Sequence, residues 1–317
     1  MKKARLGVLS DYLGMFAALV VLLAVFSLSA KFFFTRATFL TIANQCPYAV
    51  ALAAGMTFVL IIREIDLSVG SVLALSSAVL GVCLSDFRWP LALAVVACLA
   101  TGAVCGLLNG LITIKWNLPS FITTLGMLEM ARGATYLVTR SETKYLSGAI
   151  EGIGEASLLG FRVAFLLAVA LVVAGQLVLS RTVLGRYMVA IGTNEEAVRL
   201  SGIDPRPVKL AVFVICGTLA ALAAVDVSAR LGSVDPNIGT GFELGAIAAV
   251  VIGGTSLMGG RGSVVNSFFG VLIIAALGSG LAQVGAKEPT KRLITGAVIV
   301  AAVILDYYRT RLGKASS

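Results

Sequence analysis

The sequence predicts an all-α fold, a polytopic transmembrane helical bundle of about ten spans. Of the 317 residues, 58% are hydrophobic and only 13% are charged, whereas soluble domains are about half apolar and about a quarter charged. Apolar runs of about 20 residues, the length that crosses a bilayer as a helix, recur along the chain. These runs are apolar on all sides rather than at alternate positions, which favours helices over the strands of a barrel.

The first apolar run, from Leu13 to Ala30, is longer than the core of a signal peptide, which is about 7 to 15 residues, and is predicted to be retained as a span. Charged or turn-rich breaks separate the later runs, and Gly253-Gly254 interrupts the eighth. The ten predicted spans cover residues 13–30, 45–62, 69–85, 91–114, 121–139, 163–180, 208–227, 243–259, 264–284 and 293–308.

Lysine and arginine set the predicted orientation of these spans. With the N-terminus inside, 14 of the 25 basic residues lie on inner segments, ten on outer segments, and Arg132 within a span. Cytoplasmic loops are enriched in these residues, so both termini are predicted to be cytoplasmic. No loop is long enough to fold independently, so residues 1–317 are predicted to form a single transmembrane domain.

Composition also argues against several other classes of protein. The net charge of +9 comes from basic residues concentrated in short loops, a pattern of membrane topology rather than of nucleic-acid binding. The absence of histidine removes the commonest metal ligand and the usual proton relay. The five cysteines lie in apolar segments without a CxxC pair, so they are predicted to be buried small hydrophobes.

The inner loop near residues 185–207 contains a predicted surface helix. Thr193 and Glu196 form a capping box, which predicts that a helix begins at Thr193. Gly202 can end this helix in the left-handed conformation, and Pro205 blocks its continuation. A helix of about two turns is too short to cross the membrane. It would either transmit force to a partner or merely cover the ends of neighbouring spans.

Four polar residues near or within the spans invite specific interpretations. Asp66 and Ser68 precede the third span and are predicted to cap its helix by accepting backbone N–H bonds, with gating as a secondary role. Glu129 and Arg132 lie three residues apart on the fifth span. We expect them to form an ion pair that offsets the cost of burying both charges, although an ionisable group at membrane depth is also a functional candidate.

Glycines mark two further features. Gly253-Gly254 and Gly259-Gly260 lower the cost of breaking a helix, and amides exposed at such a break can bind polar groups. Close helix packing with a tight turn explains the same glycines more simply. The ridge Gly102-x-x-x-Gly106-x-x-x-Gly110 on the fourth span predicts close approach of a neighbouring helix.

Other polar residues within the spans would either line a hydrophilic path or cross-link helices. They are Asn44, Gln45, Thr57, Asn109, Thr123, Thr124, Gln176, Asn266 and Gln283.

Four blocks, in order along the chain, carry a resemblance to a known family. They are Ile65–Ser71, Leu118–Gly126, the pattern Gly-x-Asn-x-x-Ala-x-x-x-Ser-Gly-Ile of residues 192–203, and Gly239–Leu257 followed by Gly259-Gly260-Arg261-Gly262. In these blocks the chain resembles the permease subunits of ribose-type, or monosaccharide, ABC importers of the branched-chain amino acid/ribose permease superfamily.

The resemblance implies a permease in the bacterial inner membrane that translocates a small polar solute, most simply a sugar. Its partners would be a second permease subunit, identical or different, two cytoplasmic ATPase subunits and a periplasmic solute-binding protein. The chain has no Gly-x-x-x-x-Gly-Lys-Ser/Thr motif, so it is not expected to bind ATP itself. No catalytic residue, cofactor or metal site is expected.

The resemblance and the polar residues of the spans together give the candidate residues. The segment expected to couple to the ATPase contains Gly192, Asn194, Glu195, Glu196, Ala197, Arg199, Ser201 and Gly202. The pathway or gating candidates are Asp66, Ser68, Thr123, Thr124, Glu129, Glu243, Gly253, Gly254, Thr255 and Ser256.

The chain departs from the family pattern at two places. Arg63-Glu64 stands where the family usually carries glycines, and Gly245 stands where it usually has an acidic residue. These departures motivate the hypothesis of pairing with a different permease.

Two other functions compete with ATP-driven import. An ion- or proton-coupled secondary transporter would need a titratable relay, but the chain has no histidine and essentially one acid deep within a span, Glu129, for which Arg132 is a predicted partner. A membrane enzyme would need a metal-ligand cluster or a nucleophile with its base, and the sequence offers neither.

Overall fold

The computed structural model describes residues 2–146, 148, 150–158 and 160–315. Its helices are α1 (Lys2–Ser29), α2 (Arg36–Gln45), α3 (Pro47–Ile61), α4 (Val69–Ser85), α5 (Leu91–Lys115), α6 (Ser120–Thr139), α7 (Glu151–Glu155), α8 (Val163–Arg181), α9 (Val183–Leu200), α10 (Arg206–Leu231), α11 (Phe242–Ile252), α12 (Val264–Gln283) and α13 (Glu288–Ala315). Two short antiparallel pairs join β1 (Lys144–Tyr145) to β4 (Ser233–Val234) and β2 (Ser157–Leu158) to β3 (Phe161–Arg162).

The helices confirm an all-α membrane protein. Among the described residues, α5, α8, α10 and α12 are each long and apolar enough to cross a bilayer. Helices α2 and α3 meet at a bend of 48°, and together they are also long and apolar enough to cross as one bent span, which gives up to five spans among the described residues. The basic residues at the chain ends that orient the predicted spans, among them Lys2 and Arg311, have side chains outside the described part.

The eighth predicted span, 243–259, is interrupted at Gly253-Gly254, as predicted, and is not one continuous helix. Helix α11 has 11 residues and ends at Gly253, after which Gly254 adopts a φ of +79°. At 1.5 Å per residue such a helix covers about 16 Å, roughly half of a hydrocarbon core of about 30 Å. One end of α11 therefore lies inside the bundle.

Helix α3 forms the centre of the bundle. Every residue from Val50 to Ile62 is buried, because α8, α10, α11 and α12 all pack around it. Its only hydroxyl in this stretch, on Thr57, lies 2.7 Å from the hydroxyl of Ser267 on α12. The five cysteines are also buried, as predicted from their apolar surroundings.

The glycine ridge on α5 packs against α10, as predicted. A Cβ at Gly102 would overlap the carbonyl oxygen of Gly217, and one at Gly106 would overlap the carbonyl oxygen of Phe213. The two backbones are therefore in direct contact, which only small residues permit. This contact fixes α10 against α5 and so positions the residues at both ends of α10.

The outer faces of α5 and α8 are apolar and exposed. In the most hydrophobic 18-residue stretch of each helix, only 28% is buried in α5 and 17% in α8. Residues such as Val96, Leu167 and Val173 face outward. A protein dissolved in water rarely exposes contiguous apolar surface of this extent. These faces therefore fit contact with lipid or with another membrane subunit.

Candidate functional site

The loop between α3 and α4, residues 62–68, is anchored to the start of α6. The backbone N–H of Ile65 donates to Ser120 Oγ at 2.9 Å, and that of Leu67 donates to Thr124 Oγ1 at 3.0 Å. Both hydroxyls lie in the first turns of α6, where the family-like block Leu118–Gly126 begins the helix. The first and second sequence blocks are therefore bound to each other through backbone groups.

Asp66 caps the start of α4, as predicted. Its carboxylate is buried and accepts hydrogen bonds from the Ser68 N–H at 2.9 Å and the Ser68 hydroxyl at 2.6 Å. The Ser68 hydroxyl does not cap the helix itself; it accepts a hydrogen bond from Asn109 Nδ2 on α5 at 2.9 Å. The pair thus ties the loop and α4 to α5.

Helix α9 consists of two segments separated at Asn194, whose φ of −160° and ψ of 96° are not helical. The predicted start of the surface helix at Thr193 is therefore wrong by one residue. Thr193 Oγ1 donates to the carbonyl of Val189 and so belongs to the preceding segment, whereas Asn194 Oδ1 accepts the N–H of Ala197 at 3.0 Å. Gly202 follows the last turn with a φ of +83°, as predicted.

The second segment, residues 195–200 with Ser201 and Gly202, presents a mostly exposed surface. Glu196, Ala197, Ser201 and Gly202 are exposed, and Leu200 is 81% exposed. We name residues 194–202 the surface segment.

Gly192 joins the surface segment to two other parts of the chain. A Cβ at this position would overlap the Ile61 carbonyl oxygen and approach the Gly260 nitrogen, and the Gly260 N–H donates to that same carbonyl at 2.9 Å. The end of α3, the third sequence block and the turn after α11 therefore meet at backbone contact. We name this meeting point, with the loop 62–68, the junction.

An ion network closes the junction on its charged side. Lys209 Nζ, near the start of α10, lies 2.7 Å from both Glu64 Oε1 and Glu195 Oε2, and Arg199 lies 2.7 Å from Glu195 Oε1. Burial opposes ionisation of Glu195, but Lys209 and Arg199 outweigh it and hold the pKa of this carboxyl below its usual value. The side chains of Lys209 and Glu64 are about seven-eighths buried, so this pair is less screened than a surface ion pair.

Arg63 occupies a strained backbone position beside the surface segment. Its φ of +65° lies in the left-handed region, which glycine adopts without steric cost. Its exposed side chain borders a recess of about 500 Å³ together with residues 193–196 and Arg199. The departure of Arg63-Glu64 from the family glycines thus places a strained cation and a network carboxylate at the junction.

The turn after α11 is closely packed, which favours the simpler of the two explanations for its glycines. Gly253 lies against the backbone of Asn266 at the start of α12. Thr255 and Ser256 are buried; the Ser256 N–H donates to the Arg261 carbonyl, whereas the Thr255 hydroxyl has no hydrogen-bond partner among the described residues. These two candidates lie next to the junction, through Gly260.

The predicted ion pair between Glu129 and Arg132 is wrong. The Arg132 guanidinium donates instead to the carbonyls of Pro236 and Ile238, at 2.7 and 2.8 Å. Glu129 is exposed and forms no ion pair with a described residue. Arg132 binds these two carbonyls of the loop before α11 because its planar guanidinium carries several hydrogen-bond donors.

Arg132 thereby holds the loop that leads into α11. A Cβ at Gly70, in the first turn of α4, would overlap the Gly239 carbonyl and the Glu243 carboxylate. The start of α11 is therefore packed against the start of α4 inside the bundle. The Thr123 hydroxyl is buried without a hydrogen-bond partner among the described residues. Thr123 belongs neither to the junction nor to the contact between α11 and α4.

Other polar residues of the spans cross-link helices. Gln176 on α8 accepts from the Ser263 hydroxyl and the Val264 N–H, at 3.1 and 3.0 Å. Gln283 Nε2 donates to Thr38, and Asn44 accepts from the N–H of Arg162. With Thr57 these contacts favour the cross-linking interpretation over a polar path.

Sequence reasoning missed Lys209 as the centre of the ion network and Leu200 as an exposed apolar residue. It also placed Arg230 beyond the seventh span, although α10 continues to Leu231. The spacing of Asp226 and Arg230, four residues apart at the end of an apolar run, was the available signal.

Comparison with known proteins identifies close similarity over most of the chain. A family model described as a branched-chain amino acid transport system permease component matches residues 38–303. The ribose import permease protein of Escherichia coli strain K12 is 40% identical over 297 residues, which cover 91% of each chain. The ribose import permease protein of Bacillus subtilis strain 168 is 38% identical over 93% of this chain and 92% of its own.

A fructose import permease protein of Rhizobium meliloti is 34% identical over 87% of this chain and 79% of its own. No solved structure matches the chain.

Proposed function

The chain belongs to the branched-chain amino acid transport system permease family, and we propose that it carries a sugar as one of two permease subunits in the bacterial inner membrane. It is the permease subunit of an ATP-binding-cassette importer for a sugar, as the similarity to ribose and fructose import permeases over most of the chain indicates. Its role is transport, with ATP hydrolysis carried out by two separate cytoplasmic ATPase subunits. A periplasmic solute-binding protein delivers the sugar.

The proposed topology has about ten membrane segments, both termini in the cytoplasm and one permease domain over residues 1–317. The segment near 185–207 then lies on the cytoplasmic side, where basic residues concentrate. The short α11 counts as a segment that crosses only part of the bilayer. Irregular backbone at membrane depth is tolerated where protein surrounds it, as α4 and Arg132 surround the loop before α11.

The surface segment is the proposed contact with the ATPase. Its exposed residues, including Ala197, Leu200 and Ser201, would dock into the ATPase, while Gly192 and Glu195 connect it to the rest of the chain. The single observation that carries this proposal is the junction. The surface segment cannot move without disturbing the Gly192 contact with Ile61 or the bonds of Lys209 to Glu64 and Glu195.

Movement of the surface segment would reach the membrane helices by two routes. One route leads through Glu64 to the loop 62–68, and from there through Asp66 and Ser68 to α4 and α5. The other leads through Gly260 to the turn that joins α11 to α12. Asp66, Ser68 and Thr124, together with Thr255 and Ser256 beside Gly253-Gly254, are therefore the proposed gating residues. Glu129 and Thr123 lie outside both routes and are not among the proposed gating residues. Glu243 lies where the start of α11 packs against the start of α4 and is the proposed gating residue at that contact.

The experiment that tests this function is solute uptake by the complete importer in sealed vesicles. The chain is reconstituted with its ATPase and solute-binding protein, and uptake of radiolabelled ribose, fructose and allose is measured. We expect uptake of at least one sugar that requires ATP and persists when the proton gradient is collapsed. Uptake that needs the gradient but neither ATP nor the ATPase would instead establish a secondary transporter.

The second permease subunit is either a different permease or an identical copy. Arg63-Glu64, which replaces the usual family glycines, motivates a different partner. The charge of Glu64 is already paired with Lys209 within the subunit, however, so it does not require a different partner. Two differently tagged copies of the chain, expressed together in the source bacterium and purified through one tag, distinguish the cases. Recovery of both tags in one complex means an identical pair, and recovery of one tag with a second permease means a mixed pair.

A further inference from the structure

A cavity of about 330 Å³ lies between α3, α10, α11 and α12, against the first turn of α11. Six residues define its character: Gln45, Tyr48, Arg230, Phe242, Gly278 and Ser279. The volume is at the lower end of the range for ligand pockets, about 300 to 1,000 Å³. It therefore suits a small ligand of one ring rather than a longer one.

Arg230 is the unusual member of this wall. Its guanidinium lies over the Tyr48 ring, 5.5 Å from the centroid, and its Nε is buried without a hydrogen-bond partner. In the described part of the chain no group accepts a hydrogen bond from this side chain. A guanidinium inside an apolar bundle without an acceptor is costly, and such residues commonly mark a ligand path.

Asp226, one turn earlier on α10, does not satisfy this arginine. Its Oδ2 is also buried without a hydrogen-bond partner in the described structure, although it is close enough to interact electrostatically with Arg230. The two charges therefore balance each other at a distance, while Asp226 Oδ2 and Arg230 Nε have no hydrogen-bond partner in the described structure. A neutral ligand rich in hydroxyl groups fits this balance better than an anion, which Asp226 would repel.

The aromatic side chains supply the apolar part of the wall. Tyr48 and Phe242 stack with their centroids 4.8 Å apart and their planes at 28°. Gln45 and Ser279 line the same cavity, and the side chain of neither forms a hydrogen bond with a described residue. Flat apolar surface with a few unpaired polar groups is the general composition of a small-molecule site, and it suits the apolar faces and hydroxyl edges of a sugar ring.

We propose that this cavity is a binding site for one neutral sugar ring during its passage through the subunit. Arg230 and Gln45 bind hydroxyl groups of the ring, and Tyr48 and Phe242 contact its apolar faces. The first turn of α11 borders the cavity at Gly241 and Gly245, so movement of that broken helix opens or closes the site. This inference rests on the proposed function for the identity of the solute.

The cavity can be filled without disturbing packing at Gly278, because a Cβ there meets no atom within 4 Å. Gly278→Leu would occupy the space of the ring. Gly133→Leu on α6 is the matched control, since a Cβ there also meets no atom within 4 Å and the position lies outside the cavity. In the reconstituted importer with ribose, we expect Gly278→Leu to lower uptake about tenfold or more, the loss of one good binding interaction, and Gly133→Leu to leave it unchanged.

Arg230→Gln tests the polar half of the site. Uptake should fall about tenfold, as for loss of a charge-assisted hydrogen bond, while ATP hydrolysis stimulated by the sugar-loaded binding protein persists. Arg88→Gln, which removes an exposed arginine, should change neither. Uptake near the wild-type rate in both Gly278→Leu and Arg230→Gln would overturn the site. Equal loss of stimulated hydrolysis and uptake in both would also overturn it, because it would mean damage to the fold.

A binding measurement separates this inference from the proposed function. Alkylation of Ser279→Cys by a small thiol reagent is followed in the purified subunit without ATPase, with the wild-type chain as background for its buried cysteines. Ribose should slow the labelling, and the zwitterion glycine betaine should not. No ATP-dependent uptake by the wild-type importer would contradict the proposed function alone, whereas no protection by a sugar that is transported would contradict the cavity alone.

Discussion

Lys209 lies 2.7 Å from a carboxylate oxygen of Glu195 and so joins the start of α10 to the surface segment. The same ammonium group lies equally close to Glu64. Because Glu64 belongs to the loop before α4, the Lys209 side chain links the start of α10, the surface segment and this loop. Removal of the Lys209 side chain would break the link of the surface segment to α10 and to the loop.

Lys209→Met should uncouple ATP hydrolysis from transport. The variant leaves the partly buried Glu64 carboxylate without its cation, while Arg199 still pairs with Glu195; the unpaired charge costs about 1 to 3 kcal/mol at the junction. We expect hydrolysis to persist while ribose uptake falls at least about tenfold. Glu64→Gln combined with Lys209→Met removes this unpaired charge and should recover part of the folding stability, measured by thermal unfolding in detergent. Normal uptake in Lys209→Met would contradict the coupling role of the network.

Asn194→Ala should weaken the surface segment by removing its cap. Loss of a side-chain cap costs about 1 kcal/mol of helix stability, and Asn194→Asp should retain most of it. Thr193→Ala is the matched comparison, because the Thr193 hydroxyl bonds back to Val189 and caps nothing. Affinity for the purified ATPase, measured by titration in nanodiscs, should fall for Asn194→Ala only. A larger loss of ATPase affinity in Thr193→Ala than in Asn194→Ala would show that Thr193, and not Asn194, caps the segment.

Arg63→Gly should stabilise the subunit. A non-glycine residue in the left-handed region costs about 1 kcal/mol relative to glycine, and the exposed Arg63 side chain has no ion pair among the described residues to lose. Arg63→Ala removes the same side chain but keeps the strain, so it should not raise the melting temperature. Equal melting temperatures for the two variants would mean that the backbone at this position relaxes without cost.

Ala197→Glu and Ser201→Glu should abolish uptake while leaving membrane insertion intact. Both positions are exposed on the surface segment, so a bulky acid disturbs docking rather than packing. Ser157→Glu, exposed in the strand pair far from the junction in the chain, controls for added charge. Uptake assays with immunoblots of the membrane fraction separate the two effects. Normal uptake in both Ala197→Glu and Ser201→Glu would remove the surface segment as the docking site.

Features that depend on local pattern could be predicted from the sequence. The helices near 69–85, 91–114 and 163–180 follow from apolar runs, and the Gly102–Gly110 ridge follows from four-residue spacing. Asp66 as a cap and Gly202 as a helix end follow from the same short-range chemistry. The four family-like blocks were also recognisable, but their convergence on the loop 62–68 was not, because it results from tertiary packing.

The errors share a physical origin. Thr193 and Asn194 are both good capping residues, and the choice between them depends on where the preceding helix ends, which Gly192 decides through its contact with Ile61. Arg132 has an acid at helical spacing, yet carbonyls of a loop 100 residues away bind it instead. The glycine pair Gly253-Gly254 indicated the break after α11, but that the following residues form a packed turn rather than more helix depends on tertiary contacts with α12.

The short α11 bears on how the polypeptide is assembled during synthesis. A segment of 11 residues cannot remain alone in lipid, because both of its ends would leave unpaired backbone groups in hydrocarbon. Helices α3 and α4, made earlier, and α12 and α13, made later, pack against it, and Gly253 and Gly270 bring the backbones of α11 and α12 together. Helix α11 can therefore complete its packing only after α12 has been synthesised.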